Sequence, residues 1–108
     1  MVQLFLRLPT ADIHADDTVR ALSRVMVSAQ LDRDCANAQI VRDSEDPSVL
    51  IYIEDWPDKQ RLDDRIRSDR FSALLGLMET CPTRPTLELR FMSEVKGLDY
   101  VASVRHVQ

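Results

Sequence analysis

Glycine is scarce in this sequence: Gly76 and Gly97 are the only two among 108 residues. A loop that cradles phosphate needs glycines in close succession, so nucleotide binding of that kind is excluded. Cysteine is equally scarce. Cys35 and Cys81 lie far apart in the chain, and they give neither a disulfide framework nor the spacing of metal ligands. Two isolated thiols with no secretory signal suit a reducing, cytoplasmic setting. No basic stripe is present, since 14 basic and 18 acidic residues are interleaved for a net charge of -4. Nucleic acid is therefore a poor partner. The longest apolar run, Val49 to Ile53, is far too short to cross a bilayer. The N-terminal residues alternate and are interrupted by Arg7 and Pro9, which reads as a strand and not as a signal peptide.

What the chain does have is a 44% apolar fraction in a length that suits one domain with its own core. Residues 2–8 alternate, with Leu4, Leu6 and Leu8 on one face and Gln3, Phe5 and Arg7 on the other. Pro9 ends this strand, and residues 9–15 form a loop containing His14. Asp16 is placed to cap a helix, and Val19, Leu22, Val25, Met26 and Ala29 recur at helical spacing as far as about Leu31. Residues 35–43 and 48–56 read as two strands joined by the turn Ser44-Glu45-Asp46-Pro47, close enough to pair as a hairpin. Asp58 can cap the next helix, whose inner face would carry Leu62 and Ile66. A kink at Ser68 separates it from a second stripe of Phe71, Leu74, Leu75 and Met78, which Cys81-Pro82 terminates. Residues 86–95 form a fourth strand, with Leu87, Leu89, Phe91 and Val95 on one face. Residues 98–105 alternate weakly and could make a fifth.

The order βαββαβ predicts an α+β, ferredoxin-like fold: an antiparallel sheet with two helices on one face. Residues 1–96 would form this domain and 97–108 a C-terminal extension. Phe5, Met92 and residues of the third strand such as Tyr52 lie on the outer face or the helix face depending on register, and apolar content on both faces calls for a second layer. A second copy of the chain supplies that layer most simply, giving a homodimer. The C-terminal extension could then add a swapped strand to the edge of the partner's sheet.

Two segments resemble the antibiotic biosynthesis monooxygenase (quinol monooxygenase-like) family. They are Ile51-Tyr52-Ile53-Glu54-Asp55-Trp56 and Ser68-Asp69-Arg70-Phe71, which match a strand ending in Glu-x-Trp and a later Ser-x-x-Phe that opens a helix. Asp34-Cys35 is similar to the family's Gly-Cys at the start of the second strand. The resemblance spans residues 2 to 96 and implies a dimeric α/β-barrel. It also implies oxidation of small phenolic or quinol-like aromatic substrates by dioxygen, with no metal or other cofactor. Arg65 stands where the family commonly has histidine. The Asn, Trp and His of the haem-degrading branch are not matched, with Arg65 and Leu75 at the last two positions and no Asn in the first strand.

Such chemistry needs an acceptor for the phenol proton, a donor or cation for the resulting oxyanion, and a dry pocket for a flat ring. Trp56 is either a ring-stacking wall or a core tryptophan at a strand end. Tyr52 shares its face, as a hydrogen-bond donor or as packing, and Phe71 completes the candidate substrate-binding set. Arg65 can stabilise an oxyanion, or it is a solvent-facing charge paired one turn away. His14 is the candidate base, or simply a solvated loop residue. The alternative to an enzyme is a dimeric ligand-binding or stress-response module that uses the same pocket without turnover.

Overall fold

A computed structural model describes residues 1–10 and 15–106. In chain order the elements are β1 (Val2–Pro9), α1 (Ala15–Gln30), β2 (Asn37–Arg42), β3 (Val49–Trp56), α2 (Lys59–Arg67), α3 (Phe71–Glu79), β4 (Thr86–Phe91) and α4 (Leu98–His106). The strands form one antiparallel sheet in the order β2-β3-β1-β4. Two βα crossovers produce that order, and the fold is the ferredoxin-like α+β arrangement.

Alternation in β1 sets the two faces. Val2, Leu4, Leu6 and Leu8 are buried while Gln3, Phe5 and Arg7 are partly exposed. Across the β1–β3 register Leu4 faces Glu54, Leu6 faces Tyr52 and Val2 faces Trp56, so these residues share the helix side. Helix α1 lays Leu22, Val25 and Ala29 on that side, and Leu74 and Phe71 of α3 complete the main core with Leu50. Each fully buried leucine contributes roughly 1.5–3 kcal/mol. Asp16 and Asp17 lie in the first turn of α1, inside the helix and not at its cap, where their charge still opposes the helix dipole favourably.

The break between α2 and α3 has a local cause. The Asp58 side chain accepts from the backbone N–H of Arg61 at 2.9 Å and starts α2. Ser68 leaves the helix with φ -70° and ψ 150°, and its hydroxyl donates to the Arg65 carbonyl at 2.6 Å. Ser68 therefore closes α2 and does not cap α3.

Three further expectations are corrected. The inner face of α2 carries Leu62 and Arg65, whereas Ile66 is exposed. Arg65 is thus not a solvent-facing charge, because a buried carboxylate on β3 draws it inward. Strand β4 ends at Phe91, leaving Val95 outside it. Tyr52 takes the helix side, one of the two placements its register left open, so the outer face holds Phe5, Ile51 and Ile53 between polar neighbours. There the Arg90 guanidinium lies 4.1 Å from the centre of the Phe5 ring and pairs with Glu88 at 2.9 Å. Finally, residues 98–106 are helical and not a fifth strand. Leu98, Val101 and Val104 recur every three residues, with Asp99 in the first turn and Arg105 and His106 in the last. That stripe and charge order outweigh the weak alternation.

Candidate functional site

On β3, side chains two apart point the same way, so Tyr52, Glu54 and Trp56 all turn toward the helices. All three are fully buried. A carboxylate in that position must be paired or it would strongly destabilise the fold. Glu54 is paired on both oxygens. Oε2 accepts from the Tyr52 hydroxyl at 2.5 Å and from Arg65 Nη2 at 3.0 Å. Oε1 accepts from Trp56 Nε1 at 3.0 Å and from Arg65 Nε at 3.2 Å. The guanidinium thus grips the carboxylate with two nitrogens, the geometry for which arginine is suited and lysine is not. Its carbon lies 5.8 Å from the centre of the Phe71 ring.

Charge and burial shift the groups around this pair. Burial, reinforced by the neighbouring Glu54 charge and hydrogen bond, pushes the Tyr52 phenol far above its ordinary range, so it stays a donor. Burial opposes the Arg65 charge, but the Glu54 hydrogen bonds and charge outweigh it and hold Arg65 above its ordinary value. The Cys35 thiol is pushed up to about 11, first by burial and then by Glu54. Cys35 is therefore a neutral thiol, donating to the Asn37 carbonyl at 3.3 Å. Starting from an ordinary value of 9.0, roughly 100-fold less thiolate is present at neutral pH, and thiolate is the reactive form. Alkylation of Cys35 by iodoacetamide, followed by peptide mass spectrometry, is expected to be slower than that of a free thiol by about that factor. Its rate should keep rising with pH until about 11.

Of the candidate residues, the fold brings Trp56, Tyr52, Arg65 and Phe71 together. His14 lies outside the described residues. Glu54, the hub of the cluster, was not among the candidates. The signal for it was present in the sequence as a glutamate at an inward position between Tyr52 and Trp56. The cluster is closed: Trp56, Tyr52 and Glu54 have no exposed surface and Arg65 is 4% exposed.

A cleft of about 230 Å³ opens elsewhere, where the end of β1 meets α1 and α3. Leu8, Pro9, Leu77, Cys81 and Pro82 form its apolar wall, and Thr10, Thr18, Thr80 and Asp17 its polar rim. The Cys81 thiol donates to the Pro9 carbonyl at 3.0 Å, fixing the wall. Among the described residues no three His, Cys, Asp or Glu side chains gather as a metal-binding group. No helix among them is long and apolar enough to cross a membrane.

The ferredoxin-like α+β fold is shared by solved structures of proteins named as antibiotic biosynthesis monooxygenases. A candidate antibiotic biosynthesis monooxygenase from Deinococcus radiodurans superposes with a TM-score of 0.80 over 90% of this chain and 97% of its own, at 13% identity. A second protein, named as an antibiotic biosynthesis monooxygenase, matches with a TM-score of 0.73 over 87% of this chain and 100% of its own, at 19% identity. A conserved protein from Methanosarcina mazei Go1 matches at 0.74 over 82% and 89%, with 18% identity. At such identities the likeness is one of fold. No protein-family model and no curated protein matches the sequence.

Proposed function

We propose that the protein is a homodimer that takes a small, flat, phenol- or quinol-like molecule into the cleft between β1, α1 and α3. The cleft itself carries this reading. Its volume of about 230 Å³ suits a molecule of one or two rings, with an apolar wall for the ring face and hydroxyls and a carboxylate for its polar edge. In this reading Trp56, Tyr52, Arg65 and Phe71 do not touch the ligand. They hold the far end of the sheet rigid through Glu54. The second copy covers the outer sheet face that carries Phe5, Ile51 and Ile53.

A second reading is cofactor-independent monooxygenation of the same molecule by dioxygen. The names carried by two of the structures that share the fold favour it. Asp17 would then be the rim group that accepts the phenol proton. Chemistry at the Glu54 cluster instead would require the Arg65 pair to open.

Thermal shift with hydroquinone, catechol and 1-naphthol tests both readings. A ligand at one hundred times its Kd stabilises by about 2.7 kcal/mol, which for a domain of this size raises Tm by roughly 10–20 °C. The shift is expected to vanish in Thr18→Trp, which fills the rim, and to persist in Tyr52→Phe. Oxygen uptake that accompanies the shift and disappears in Thr18→Trp selects the oxygenase. A shift without uptake selects the binding module, and no shift with any of the three rejects the cleft as the site.

A further inference from the structure

Tyr52 and Trp56 are the two readily oxidised rings of the buried cluster, and both hang from one carboxylate. The Tyr52 hydroxyl donates to Glu54 Oε2 at 2.5 Å, and Trp56 Nε1 donates to Oε1 at 3.0 Å. Arg65 fixes the plane of that carboxylate through two further hydrogen bonds. No substrate reaches the rings, since Tyr52, Glu54 and Trp56 are fully buried. An electron needs no such opening, because it can cross a layer of packed side chains. That layer is thin on one side, where the half-buried Cys35 packs against Val2, Trp56 and Leu62. What limits oxidation of a buried phenol is its proton. The phenol radical cation is a very strong acid, and a positive charge stranded in a dry site is costly. The electron therefore leaves easily only where a base already holds the hydroxyl. Glu54 is that base, within hydrogen-bond reach of the proton it would take.

We infer that Tyr52 is a one-electron relay site: it passes an electron to an oxidised Trp56 while its phenol proton moves to Glu54 Oε2. The oxidant is an oxygen-centred radical, which takes the first electron from Trp56 across the Cys35 layer and leaves as its reduced anion. In the relay step the electron goes from Tyr52 to the Trp56 radical cation. The Tyr52 O–H bond breaks and an O–H bond to Glu54 forms. Trp56 ends as the intact indole, Tyr52 as a neutral phenoxyl radical and Glu54 as a neutral carboxylic acid. One positive and one negative charge thus disappear from a dry site, and the net charge of the cluster is unchanged. Both Arg65 hydrogen bonds survive, since each Glu54 oxygen keeps a lone pair for its partner. The oxidising equivalent comes to rest on the phenol, which spares the sole tryptophan from ring-opening oxidation. The relay is independent of the cleft and of pairing between copies.

Flash photolysis of the full chain tests it, because the sequence holds one tryptophan and two tyrosines. An ultraviolet flash at the red edge of the indole band ionises Trp56, with chloroacetate taking up the ejected electron. Transient absorption is expected to show the broad tryptophanyl band decaying as the narrow tyrosyl band rises, at a first-order rate independent of protein concentration. The exposed Tyr100 is the competing donor. Tyr100→Phe should leave the rise unchanged. Tyr52→Phe, in which Glu54 keeps Arg65 and Trp56 as partners, should abolish it. The double variant Glu54→Gln, Arg65→Met keeps both rings but puts an amide where the base stood. Its rise should slow by about 100-fold, the low end of what a positioned proton acceptor contributes. Circular dichroism establishes that each variant keeps the wild-type fold. Wild type refolded in heavy water supplies the same test without a substitution, since a deuteron then moves with the electron and the rise should slow. A Trp56 radical that decays with no tyrosyl successor overturns the relay. So does a tyrosyl signal that Tyr100→Phe removes and Tyr52→Phe leaves, or a rise that neither the double variant nor heavy water slows.

Discussion

Replacing Arg65 with methionine is expected to lower the unfolding free energy by about 3–5 kcal/mol, the usual result of stripping one partner from a buried ion pair. Both partners are sealed, with side-chain exposures of 3% for Arg65 and 0% for Glu54. Methionine fills much of the arginine stem's volume, so the loss comes from charge more than from a cavity. Glu54 would retain only the Tyr52 hydroxyl and Trp56 Nε1, two neutral donors facing a full negative charge in a dry site. A domain of this size typically has 5–15 kcal/mol in total, and Tm should fall by on the order of 15–30 °C. Urea unfolding followed by the fluorescence of Trp56, the sole tryptophan, reads the change directly. Adding Glu54→Gln to Arg65→Met should recover a large part of the loss. The amide oxygen still accepts from Tyr52 or Trp56, and no charge is left without a partner. A change below about 1 kcal/mol in Arg65→Met would instead match a pair in contact with water.

The sheet was legible in the sequence because its inward positions are strongly patterned. Leu4, Leu6 and Leu8 on β1 and Tyr52, Glu54 and Trp56 on β3 keep a strict period of two, and a single residue of slip would turn all of them outward. The break at Ser68 was legible as well, although its hydroxyl serves α2 and not α3. Two features were hidden. On α2 both Arg65 and Ile66 fall near the Leu62 face, at three and four residues' separation. Apolarity argues for Ile66, and only the presence of a buried carboxylate across the layer reverses the choice. At the C-terminus, local alternation and helical spacing overlap in Val101, Val104 and their neighbours. With no core contact to select the strand, intrinsic preference and the charges at the helix ends decide. The cleft is formed by residues far apart in the chain, Leu8, Pro9, Thr10, Asp17 and Thr18 on one side and Leu77, Thr80, Cys81 and Pro82 on the other, and no local motif announces it.

Trp56→Ala separates a core tryptophan from a ligand wall. Trp56 is fully buried against Val2, Leu62 and Cys35, and deleting a ring so placed costs about 3–5 kcal/mol, including the cavity it leaves. Glu54 Oε1 would also lose its indole donor while keeping Arg65 Nε at 3.2 Å, so the ion pair should survive and the chain should still fold at low temperature. The vacated space has the shape of an indole and is largely apolar, a condition under which cavities in protein cores take up small rings. Millimolar indole is therefore expected to raise the Tm of Trp56→Ala by more than it raises that of the wild type, by an amount that grows with the logarithm of its concentration. Trp56→Phe should lose less stability than Trp56→Ala. The phenol-induced shift of the wild type should persist in Trp56→Phe, because the proposed cleft lies at the opposite end of β1. The contrary pattern, in which Trp56→Ala keeps the wild-type Tm but no longer responds to phenols, would move the binding site from the Leu8–Leu77–Cys81 cleft to the Glu54 cluster.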